Sequence, residues 1–557
     1  MSPESDLARR SAEIRKFFRT TTSDKATVSQ FLHDVELEIA EHQTEINKLK
    51  TTIYALEHKR NRLKRTAERY KALLAPIHAV PPEILATIFE FVCECNLVSR
   101  SKLPAAVRLS VVCGRWRDIV CSTPRLWSDV SIDFRSWTKD FHVLNELTER
   151  LVKKSGNCPL RLTLILPSDD FDGDQAERQG VHSALRCLVE HCERWESVAL
   201  RLAPSHFPSS IFGSICGRLP LLTSLSLYRA DGDPTNWSST FNYFDNCPSL
   251  RSLRIHPQLF SDEQQASLPW SQLKSLRILA AFNDEAFSML SLCPAVEHLE
   301  LCRVGDLESN VEYSGHVASS DIKTLTITKA CEQIEVDGVL QHTTLSGISS
   351  LVIMGDSACI NKKDWPTWNG AHLQSFLHRS SCNITSLHFR NLPITDAQML
   401  SVLSMIPSIK SLCIEEFTEE RKNRIVSKTF LEGFTVKASL DPSFSVPLVP
   451  SLDTLKLVVH AQGLESDSFL EALSSRWLPD RAEAAEMGVH CLCSVTIVVL
   501  EPDGVKENGQ LDGLFCFKDA GMRLSITYGT LYDLYPDVYE AGTDEEDGEN
   551  VGEGTGD

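Results

Sequence analysis

The 557 residues carry a formal net charge of −19, with 42% hydrophobic and 24% charged residues. This acidity argues against generic nucleic-acid affinity, and no apolar run approaches the roughly 18 residues of a membrane span. The length exceeds one ordinary compact core, so several domains or one extended repeat array are expected.

Residues 1–27 scatter charges through polar sequence and lack the apolar core of a secretory signal. A flexible N-terminus is expected, on an intracellular protein of the cytoplasm, the nucleus or both. The 18 cysteines then read as free thiols, and the sequons at Asn236 and Asn383 as unmodified.

Over 28–75, positions spaced alternately three and four apart are mostly apolar: Leu32, Val35, Ile39, Ile46, Leu49, Ile53, Leu56, Leu63, Tyr70 and Leu74, with Ala67 weakly so and His42 and Arg60 polar. The heptad period predicts one long helix with a narrow seam, ended by Pro76. Its functional reading is a coiled-coil homodimer; the plainer one is a single or internally docked helix.

Pro81 and Pro82 suit the first turn of a helix, where a missing N–H breaks nothing, and Glu83 suits its positive end. The apolar stripe Ile84, Leu85, Ile88, Phe89 and Val92 requires burial somewhere. A second cluster, "LPAAVRLSVVCGRWRDIVCSTPRLW", begins at Leu103. Gly114 reads as interior to a helix, a position costing about 1 kcal/mol relative to Ala. Trp116 and Trp127 read as packed within this module or against the chain downstream of it.

Farther on, the pattern apolar-x-x-apolar-x-apolar recurs with central residues at 198, 225, 253, 276, 299, 325, 351, 387, 412, 455 and 495. Most separations fall within the roughly 20 to 29 residues of leucine-rich repeats. Pro220, Pro248, Pro294, Pro407 and Pro450 each stand five residues before a centre, where proline stops a helix and starts an extended segment. Cys192, Cys247 and Cys293 lie six before a centre and read as buried turn positions rather than metal ligands. Strand-plus-helix units stacked into a parallel solenoid are expected over 140–530.

The tail, 537–557, holds nine acids and no Lys or Arg, and disorder is expected there. "DDFDGDQAERQG" at 169 resembles a calcium loop, but its glycine falls too early and it reads as an acidic surface loop. "CEC" at 93 and "HCLC" at 490 lack a second ligand pair at zinc spacing. No phosphate loop, H-E-x-x-H or G-x-S-x-G motif is present. The reading is therefore a protein without catalytic, cofactor or metal residues.

"VPPEILATIFEFV" and the cluster from Leu103 to Trp127 together resemble an F-box, in particular the F-box-like domains abundant in mushroom-forming fungi. The resemblance covers 76–130, about a tenth of the chain. It implies a small all-α module that docks on a Skp-family linker protein of a cullin-RING ubiquitin ligase, with Pro81, Pro82, Ile84, Leu85, Ile88, Phe89, Leu103 and Val112 at the contact. The later repeats resemble the leucine-rich repeats of F-box proteins, although the asparagine usual after the strand does not recur. The implied whole is α/β: heptad helix, F-box-like module, then a solenoid binding a target protein. The alternative is a repeat-based scaffold whose F-box-like fold packs internally and has no connection to ubiquitination.

Overall fold

A computed structural model describes residues 12, 15, 25–137, 140–166, 175–202, 209–229, 242–256, 268–304, 315–356, 368–416, 425–437, 447–462, 464–501 and 509–535. The acidic tail, the calcium-loop-like segment up to residue 174 and nearly all of 1–24 lie outside them. The chain divides into two compact units, 1–88 and 89–557.

The first unit is dominated by one helix, Lys25–Leu73, of 49 residues, about 73 Å long at 1.5 Å per residue. Uninterrupted helix formers sustain it, and a 3-10 turn at Pro76–His78 lies just beyond its end. Its seam is solvent-exposed along its length, from Leu32 and Ile39 through Ile53 and Leu56 to Tyr70. A helix so polar elsewhere buries little of its own surface.

The second unit is built on one fifteen-stranded parallel sheet whose strands run in chain order. Each rung pairs a repeat centre with the next: Val198 with Leu225, Leu225 with Leu253, Leu253 with Leu276, and Leu276 with Leu299. The register continues through Leu325, Leu351, Leu387, Leu412 and Leu455 to Val495. The eleven centres expected from the sequence are thus consecutive rungs of one ladder. Centre and centre+2 residues, such as Leu225 and Leu227, are buried, as the strand period of two requires.

The sheet is longer than expected. Three strands precede Val198, namely Asn96–Val98, Asp129–Asp133 and Leu160–Ile165, and Arg523–Gly529 closes the far end. Asn96 pairs with Val130, Val130 with Leu162 and Leu162 with Val198, while Leu524 extends Val495. The F-box-like segment, expected to be all helical, therefore supplies the first strand and the start of the second. A separate two-stranded pair joins Val317–Ser319 to Thr343–Leu345.

Without a recurrent asparagine, the turns are satisfied by backbone. At nine of the eleven centres the carbonyl two residues earlier accepts two N–H groups from the next repeat: Thr223 from Arg251 and Ser252, Arg251 from Lys274 and Ser275, Lys274 from Glu297 and His298. The same fork recurs at Glu297, Lys323, Ser349, Thr385, Lys410 and Asp453. Both lone pairs of these carbonyls are used, so the strand entries need no side-chain partner. At the strand ends, Ala280, Arg303 and Lys329, each the penultimate residue of its strand, and Asn391, just past its own, share the centre+4 position and a left-handed backbone, with φ of 45°, 52°, 54° and 52°.

Cys192, Cys247 and Cys293 are buried, as expected of turn positions. Burial pushes the Cys247 and Cys293 thiols up to about 12. Every described cysteine is a free thiol. Among the described residues, no helix is long and apolar enough to cross a membrane.

Candidate functional site

The helix led by the two prolines runs Pro82–Val92, and the Leu85 N–H donates to the Pro81 carbonyl at 3.1 Å. The stripe read from the sequence is split along its midline. Leu85 (0% exposed), Phe89 (2%) and Cys93 (3%), at i, i+4 and i+8, form a buried face. Ile84 (53%), Ile88 (44%), Phe91 (71%) and Val92 (48%), rotated toward the other side, are exposed. Leu85 and Phe89 are therefore corrected from contact residues to residues of the chain's own core, because a side chain already out of water has no surface left to offer. Pro81 and Pro82 are exposed at the helix start.

In the second unit, Leu103 and Val112 are exposed, as is Val111, which the sequence reading passed over. Ala105 and Ala106 on one short helix, and Ile119 and Val120 on the next, face inward. The ring of Trp116 lies 4.7 Å from that of Phe89, tilted by 56°. Trp127 is buried and donates from Nε1 to the Val120 carbonyl at 2.7 Å. Gly114 is the first residue of the Gly114–Ser122 helix, with Cys113 as its N-cap, so the interior-glycine cost does not apply.

Asn96 ties the module to the sheet. It is fully buried; its Nδ2 donates to the carbonyls of Leu126 at 2.8 Å and Asp129 at 2.9 Å, and its Oδ1 accepts from the Ala106 N–H at 2.9 Å. One side chain thus satisfies a helix N-terminus and two carbonyls beside the second strand. Sequence reading missed it because a buried asparagine in a short polar stretch looks like a turn.

The partly exposed strand face carries a charged row. Arg277 pairs with Glu300 at 3.0 Å and Arg303 with Asp356 at 3.1 Å. His388, Arg390, Cys413, Glu415 and Lys456, from three neighbouring strands, form a cluster in this row. His388, Cys413 and Glu415 bring their ligand-capable atoms within 4.8 Å of one another. Lys456 Nζ, however, donates to Glu415 Oε1 at 2.6 Å, and Arg390 Nε stands 3.6 Å from Oε2. Burial pushes Glu415 up, but neighbouring His388 and Lys456 outweigh it and hold the carboxyl at about 2. Burial, then the Glu415 charge, lifts the Cys413 thiol to about 12. A protonated thiol and a carboxylate already neutralised by an ammonium make a poor metal site and a coherent ionic one.

A cavity of about 680 Å³ opens between the Phe141–Lys154 and Gln175–Val189 helices, lined among others by Glu149, Lys153, Arg186 and Glu190. Its Arg194 is held by Ser155 Oγ at 2.7 Å and the Cys158 carbonyl at 2.8 Å. At the far end, buried Arg476 donates to the carbonyls of Phe434 (2.8 Å), Leu448 (2.7 Å) and Val449 (3.3 Å) and stacks 3.9 Å above the Phe434 ring. Burial lowers it to about 10.

Residues 77–133 match the F-box-like family. Over 238 residues the chain is 25% identical to an F-box/FBD/LRR-repeat protein of Arabidopsis thaliana, covering 42% of this chain and 43% of that one. The match thus spans less than half the length of this relative. Among solved structures, the crystal structure of a Bacteroides fragilis protein is matched over 70% of this chain and 72% of its own, at 10% identity and a TM-score of 0.23, a likeness too slight to carry an argument.

Proposed function

We propose that this chain, which carries an F-box-like domain followed by a leucine-rich-repeat-like region, is a non-catalytic substrate-recognition adaptor of an SCF-type ubiquitin ligase. The F-box-like domain docks on a Skp-family linker protein, the repeats bind a target protein, and the Lys25–Leu73 helix pairs two copies.

The observation that supports docking is the two-faced Pro82–Val92 helix. Leu85 and Phe89 already anchor it, yet Ile84, Ile88 and Phe91 remain in water. Burying them against a partner recovers about 1.5 to 3 kcal/mol per fully covered side chain. Leu103 and Val112 are further contact residues, and Pro81 and Pro82 hold the helix start. The ladder of exposed strand positions gives the repeats an extended surface for protein recognition.

The test is capture of the purified full chain by the host's Skp-family protein, comparing wild type with Ile84→Asp/Ile88→Asp. One-to-one capture by wild type, lost in a variant that keeps its thermal unfolding profile, is the expected result. No capture by folded wild type overturns the adaptor reading and favours the internally packed scaffold.

A further inference from the structure

The Lys25–Leu73 helix divides by charge. Residues 26–47 hold five acids, Asp34, Glu36, Glu38, Glu41 and Glu45, and no Lys or Arg. Residues 48–71 hold nine bases, Lys48, Lys50, Lys59, Arg60, Arg62, Lys64, Arg65, Arg69 and Lys71, against two acids, Glu57 and Glu68. Complementing the helix dipole explains charges only in the first and last turns, not a division that runs the length of the rod.

We infer that the exposed seam is covered by a second copy of the same helix running antiparallel, with residue p opposite residue 102 − p. A parallel, in-register pair sets acid half on acid half and base half on base half; reversal sets each against its opposite. The register comes from the two polar seam positions. With positions summing to 102, the layers are Leu32 with Tyr70, Val35 with Ala67, Ile39 with Leu63, His42 with Arg60, Ile46 with Leu56, and Leu49 with Ile53. Arg60 and His42 fall in one layer, where a neutral imidazole accepts from the guanidinium. Slipping one heptad either way sets Arg60 against Val35 or Leu49.

The seam's flanking residues agree. Reversal brings Glu36 beside Lys64 and Glu45 beside Lys59 of the second copy, each pair occurring twice, with Lys50 meeting its own copy as the single like-charge contact. The parallel alternative offers Glu45 with Lys50 but sets Lys59 against Lys64, twice each. Aliphatic layers supply the adhesion, and charge chooses the direction.

The inference rests on the helix pairing proposed above and is independent of the ligase reading, which linker capture tests separately. A nitroxide-bearing non-natural residue is placed at Arg65, on the outer face, or at Thr51, near the two-fold axis, in the full chain, and distances are measured by pulsed dipolar spectroscopy. Antiparallel pairing offsets the two Arg65 sites by about 42 Å along the axis, 28 residues at 1.5 Å each, and keeps the Thr51 sites close. Short distances at both sites overturn the direction, and absence of dipolar coupling at both overturns the pairing. A second measurement uses charge: Glu36→Lys/Glu45→Lys weakens the dimer by about tenfold or more, and adding Lys59→Glu/Lys64→Glu restores it. Failure to restore also overturns the direction, since in a parallel pair the added acids repel one another.

Discussion

Asn96 shows how much one polar side chain can carry. Removing it strands the Ala106 N–H and two carbonyls near the start of the sheet. Asn96→Ala is expected to cost about 3 kcal/mol, and Asn96→Asp, which sets a buried carboxylate oxygen against the two carbonyls, more; urea unfolding of both variants checks the order. Leu85 and Ile88 differ in the same local way. Leu85→Asp places a charge in the core and is expected to unfold the region, whereas Ile88→Asp leaves thermal stability nearly unchanged. Equal losses would show the helix is buried on both faces. Glu415 makes a pH prediction. Its folded-state value, about 2, lies below the ordinary carboxyl value of 4.5, so its stabilisation is full above about 4.5 and is lost as pH falls through about 2. Glu415→Gln is expected to be less stable than wild type by a few kcal/mol at pH 6, with the gap closing toward pH 2.

At the scale of elements, legibility tracked pattern strength. The long helix announced itself because a heptad repeat over about 40 residues has no rival reading, and the eleven strand centres because each carries three apolar residues at fixed spacing. The strands that escaped lack part of that signature. Asn96 puts an amide at the centre, and Leu162 and Leu524 are preceded, three residues earlier, by Pro159 and Gly521. The Val130 strand does carry the pattern, with Trp127 and Ile132, but sat inside a segment read as helical. The two-faced helix was half legible: a wide apolar stripe shows that burial is needed, while the division between own core and partner depends on what packs beside it. The left-handed centre+4 position left no trace, since Ala, Arg, Lys and Asn share no chemistry. Lys329→Gly relieves that strain and is expected to stabilise by about 0.5 kcal/mol after glycine's entropy cost, read as a small rise in Tm.

Across the whole molecule, the feature with the widest reach is the forked carbonyl that recurs at nine successive strands, from Ser224–Arg229 to Thr454–His460. It sets register from backbone alone, at the strand's entry, and makes no demand on the chain between one strand and the next. Centres 23 residues apart, as at Leu253 and Leu276, and 43 apart, as at Leu412 and Leu455, meet in the same register. Doubling a loop costs only about 0.6 kcal/mol in closure entropy. Segments between strands can therefore be lengthened, shortened or exchanged by mutation while the frame survives, leaving natural selection free to vary the surface without first rebuilding the fold.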